Sequence, residues 1–119
     1  MATQLPDWLP GQWSLTEYSV TFQAKTTTFP AGTGPIQMAM TLAFMQGATT
    51  YDYAGGPVPP GEGDIVSADE SLVSITLWPT NVPSLPATIA RAAKGIVVEF
   101  SHTIWGNEPS DFKAYYEPV

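Results

Sequence analysis

The sequence predicts an all-β domain spanning residues 1–119: a single small antiparallel up-and-down barrel of about seven or eight strands, with a β-sandwich as the alternative. Three observations lead there. Apolar and polar residues alternate over several short stretches, the period of a strand with one buried face. Twelve Pro and ten Gly separate those stretches at short intervals. Only 13% of residues are charged, too few for a coiled coil or a charge-laced bundle, while 44% are hydrophobic, enough for one core. Few charges guard the strands, and a closed barrel leaves no edge to guard, so closure is favoured over the sandwich.

The first stretch carries two phases, with Trp13 and Leu15 in one and Tyr18, Val20 and Phe22 in the other. A bend or bulge reconciles them. The clearest strand follows: Ile36, Met38, Met40, Leu42 and Phe44 alternate with Gln37, Ala39, Thr41 and Ala43. Weaker strands are expected at 48–53, 64–67 and 112–116, and the Gly/Pro run at 55–63 is read as a long loop. Val73, Ile75 and Leu77 share a face opposite Ser74, Thr76 and Trp78. One short helix is expected near 86–94, capped by Ser84, begun at Pro86 and ended by Gly95. Its alanines favour helix, and its bases, Arg91 and Lys94, suit a last turn. Ile96, Val98, Phe100, His102 and Ile104 form the next face, opposite Glu99, Ser101 and Thr103.

Eleven acidic residues oppose four basic ones, for a net charge of −7. Without a basic patch, phosphate neutralisation and attraction to anionic membranes are disfavoured, so no nucleic-acid partner is expected. The absence of cysteine excludes disulfides, thiol catalysis and thiolate metal sites. Residues 1–10 lack a basic start and an apolar run, and no stretch reaches the ~18 apolar residues of a span. The expectation is a soluble, cytoplasmic domain with no membrane insertion.

Gly11-Gln12-Trp13, opening the first strand, resembles the Gly-x-Trp of lipocalin and calycin barrels. The resemblance covers roughly fifteen residues besides the all-β pattern. It implies that Trp13 packs across one end of a barrel and that the glycine permits the close turn into the strand. The pattern departs elsewhere: Thr50-Tyr51-Asp52-Tyr53 is a scrambled and early echo of the family's Thr-Asp-Tyr, and no base clearly matches the one that covers the Trp. The further glycines of haem-binding nitrobindins are replaced by Leu15 and Glu17, and the biotin-binding pattern of avidins is missing.

Such a barrel is expected to bind an apolar or aromatic small molecule in its cavity. The candidate lining is Trp13, Tyr18, Val20, Phe22, Met38, Met40, Phe44, Tyr53, Phe100 and Trp105, with methionines adapting to varied apolar shapes. The 55–63 loop is the candidate gate. The alternative is a cofactor-free cyclase or isomerase acting on a polyketide- or terpene-like intermediate by confinement. There His102, the one histidine, and Glu17, if it turns inward with Trp13, would be the catalytic pair: a base with a carboxylate to fix its tautomer. A lectin-like or inhibitor module, using exposed aromatics such as Trp78 and Trp105, is the second alternative. No cofactor or metal is expected. The acidic residues Glu62, Asp64, Asp69 and Glu70 lack the spacing of a calcium loop, and no phosphate loop or nucleophile elbow occurs. Trp78 and Tyr115 offer contacts for a homodimer.

Overall fold

A computed structural model describes residues 4–34, 38–55, 58–77 and 85–119. Nine strands run through them: β1 (Gly11–Phe22), β2 (Lys25–Pro30), β3 (Thr41–Phe44), β4 (Thr50–Gly55), β5 (Val58–Ala68), β6 (Val73–Leu77), β7 (Leu85–Arg91), β8 (Ile96–Trp105) and β9 (Glu108–Pro118). All neighbours pair antiparallel, in the order β2-β1-β3-β4-β5-β6-β7-β8-β9, and β1 also pairs with β9. Eight strands therefore close into a barrel, and β2 stands outside the ring.

The long first strand makes this geometry possible. Its start, Gly11–Ser14, pairs with β3, and its end, Glu17–Phe22, pairs with β2. Along its other edge it meets β9 from Trp13 to Thr21, with a register shift between Leu15 and Glu17. That bulge is the expected reconciliation of phases: Trp13 and Leu15 are buried below it, Tyr18 and Val20 above it. The other alternating faces turn inward as their period requires. Leu42 and Phe44, Val73, Ile75 and Leu77, and Ile96, Val98 and Phe100 are all buried. Each such side chain contributes roughly 1.5–3 kcal/mol of transfer free energy.

Two expected elements are corrected. Residues 85–91 form β7, not a helix; Ser84, its expected cap, lies outside the described residues. Ala87 and Ile89 face the core while both edges pair, with β6 and with β8. A two-turn helix gains little by itself, and two ladders with a buried face outweigh the alanines' propensity. Gly95 closes a tight β7–β8 turn, where the Ala92 amide donates to the Gly95 carbonyl at 2.8 Å. The 55–63 run is likewise not a long loop, because β5 begins at Val58. Gly61 and Gly63 sit directly opposite Tyr53 and Tyr51. A Cβ at either glycine would strike the tyrosine ring lying over it. The glycines are strand positions whose volume the neighbouring strand fills.

The expected strand at 36–44 is shorter than its pattern. Only 41–44 pair as β3, Ile36 and Gln37 lie outside the described residues, and Met38 and Ala39 are buried ahead of the strand.

Candidate functional site at the mouth of the barrel

The two ends of the barrel differ. At the end where β1 begins, the segment ahead of it folds across the opening, with Leu5 and Leu9 buried. The Leu5 amide donates to Gln46 Oε1 (2.7 Å), and Gln46 Nε2 donates back to the Leu5 carbonyl (2.8 Å). Trp8 Nε1 donates to the Glu70 carbonyl (2.8 Å), which ties the segment to the β5–β6 turn. Trp13, buried near this end, donates its indole N–H to the Leu9 carbonyl (2.9 Å).

The middle of the barrel is a packed aromatic layer. Phe44 and Tyr51 stack with centroids 5.2 Å apart, and Tyr53 lies 6.3 Å from Tyr51. The Tyr51 hydroxyl donates to the Thr76 carbonyl and the Tyr116 hydroxyl to the Ala39 carbonyl, both at 2.7 Å. Burial pushes the Tyr116 hydroxyl well above the ordinary tyrosine range, and the nearby Tyr51 adds to that. Trp13, Met38, Phe44 and Tyr53, expected as ligand lining, are buried members of this core, and half-buried Met40 packs against it.

The opposite end is where β1 finishes and β8 turns into β9. There Tyr18 and Val20 are buried and Phe22 is half-buried. The Tyr18 hydroxyl donates to the Thr33 carbonyl (2.7 Å), and its ring lies 5.4 Å from Phe29. Phe100 and Phe112, directly opposite on β8 and β9, stack at 4.8 Å with planes 4° apart. Such a pair adds about 0.5–1.5 kcal/mol beyond its burial. One inward position further out, Ser110 faces His102 across the two strands. Ser110 is fully buried, and its Oγ has no hydrogen-bond partner among the described residues. His102 stands exposed at the rim, in the inward phase of Val98 and Phe100. Trp105 ends β8 beyond a register shift, and its side chain lies outside the described residues, as does Trp78.

Glu17 does not join this group. It follows the bulge and is exposed, beside an outer depression of about 240 Å3 that Lys94, Tyr115 and Glu117 also line. It pairs with Tyr115, which in turn pairs with Val97. Val97 lies five residues from His102, roughly 16 Å along the strand. The expected proton-transfer pair is therefore not assembled. Tyr115, half-buried, also faces outward.

Of the acidic residues, Asp69 has a structural use. Asp69 Oδ1 accepts from the Ser71 and Leu72 amides (2.9 and 2.8 Å) and from the Ser71 hydroxyl, and these bonds hold its carboxyl below the usual range. Glu62 and Asp64 are exposed on β5.

Sequence reasoning missed Ser110. Its signal was present: Ser110, Phe112, Ala114 and Tyr116 share one period-two face, and extending the 112–116 strand back by two residues reaches it. No helix among the described residues is long and apolar enough to cross a membrane. The architecture is consistent with a calycin-like barrel, closed, antiparallel and eight-stranded. Compared with protein-family models, curated proteins and solved structures, the chain finds no match, so that likeness rests on architecture alone.

Proposed function

We propose that the protein binds an apolar or aromatic small molecule at the mouth of its barrel, above the Phe100–Phe112 stack. One observation carries this reading: the inward face stays aromatic and apolar up to the end opposite the plug and finishes at a buried hydroxyl with no partner among the described residues. A barrel built only to be solid gains nothing from an orphaned polar group at its rim. The calycin-like architecture supports the reading by fold-level analogy, since small barrels of this size hold single ligands.

The test is a titration with a neutral apolar fluorophore, N-phenyl-1-naphthylamine, followed by displacement with unlabelled lipophiles. Saturable one-to-one binding is expected. In Phe100→Leu, loss of the stacked face should weaken binding about threefold to tenfold while unfolding stays cooperative. Absence of saturable binding, or affinity indifferent to Phe100→Leu, overturns the proposal.

A further inference from the structure

The orphaned hydroxyl says more about the ligand than the apolar lining does. Ser110 occupies the last fully buried inward position of β9 toward the mouth, above Phe112 and Ala114. Its Oγ has no hydrogen-bond partner among the described residues, although buried hydroxyls ordinarily bond. Four other buried polar side chains of the barrel follow that rule: Tyr18, Tyr51, Tyr116 and Trp13 each donate to a backbone carbonyl. Those groups fasten the barrel together, whereas Ser110, without a partner among the described residues, lies at the end that the N-terminal segment does not cover. Directly opposite it, His102 is exposed and does not bond the hydroxyl.

Charge narrows the partner. Lys113 points outward to Glu99, 3.8 Å away, and Arg91 and Lys94 lie at the plugged end. Lys25 sits exposed at the β1–β2 turn. Of these cations only Lys25 stands at the mouth end, exposed; no described cation faces the interior beside Ser110, so an ionised carboxylate or phosphate buried there has no adjacent counter-charge. A neutral oxygen, hydroxyl or carbonyl, satisfies the serine without that cost. The stacked rings of Phe100 and Phe112 make the buried wall just below it aromatic.

Resting on the binding site proposed above, we infer that Ser110 sets its specificity. Its hydroxyl hydrogen-bonds a neutral oxygen on a planar aromatic ligand, so the class bound is phenols and aryl ketones in preference to plain hydrocarbons and fatty-acid anions. The experiment compares naphthalene, 2-naphthol and 2-acetonaphthone as competitors of N-phenyl-1-naphthylamine, in the wild type, Ser110→Ala and Ser110→Thr. The wild type should bind the two oxygenated probes about tenfold more tightly than naphthalene. Ser110→Ala should abolish that preference, and Ser110→Thr, which keeps a hydroxyl, should restore part of it. Equal affinities in the wild type, or a preference that survives Ser110→Ala, overturn the inference and leave the binding site standing. If none of the probes competes and the fluorophore itself fails to bind, the site falls and the inference with it.

Discussion

Ser110 and Tyr116 lie on one inward face of β9 and represent opposite ways of burying a hydroxyl. Tyr116 donates to the Ala39 carbonyl across a long stretch of chain, so Tyr116→Phe leaves that carbonyl unmet. The expected cost is about 1–2 kcal/mol in urea unfolding. Ser110 has no such partner, so Ser110→Ala should stabilise the free protein by ~1 kcal/mol, read in the same way. The raised pKa of Tyr116 sets a pH limit. Below its ordinary value of 10.0 both folded and unfolded states keep the proton and the stability is fully present. Above it the unfolded chain ionises while the folded one does not, so stability should fall as pH climbs past that value. Tyr116→Phe should flatten this slope in denaturation curves taken from pH 8 upward. The tyrosines were visible in the sequence as strand residues, but their carbonyl partners were not. Ala39 and Thr76 are distant in the chain and carry no side-chain signal for accepting a bond.

At the scale of elements, legibility followed the side-chain period. The bulge in β1 was readable because Trp13–Leu15 and Tyr18–Val20 are out of phase, and only an extra residue repairs that. The end of β5 was expected at 64–67, but its first half was unreadable because its inward positions at 61 and 63 are glycines, whose partners are rings on β4. Gly63→Ala should cost about 1–3 kcal/mol through overpacking against Tyr51, measurable by thermal or urea unfolding. β2 was missed for the reverse reason: Lys25 to Thr28 are all exposed, so no face alternates. Its turn is also unannounced. Gln23 and Ala24 both take positive φ, 51° and 63°, in a two-residue hairpin that normally uses Asn-Gly. The double change Gln23→Asn, Ala24→Gly should therefore stabilise the hairpin by about 1–2 kcal/mol. β7 misled because its alanines speak for a helix locally, while its two ladders are tertiary.

The whole molecule is asymmetric end to end, sealed by its N-terminal segment on one side and finishing in Phe100, Ser110 and His102 on the other. Gln46→Ala removes both bonds to Leu5 and should lower stability by about 1–2 kcal/mol. Probe affinity at the far end should stay unchanged, which separates plug from mouth. The all-β class was legible from alternation, and closure from the scarcity of charge along the strands. The candidate site was legible only in its apolar half, since Phe22 and Phe100 announce themselves whereas an unpaired serine shows only in three dimensions. Closure has one more consequence. Trp13 to Thr21 pair with Asp111 to Pro118, so the seam joins the first strand of the barrel to its last. During synthesis β1 must wait, with one edge open, until β9 has left the ribosome. Nascent chains should thus stay susceptible to protease and to chaperone capture until β9 emerges, and the barrel should shut in one late step.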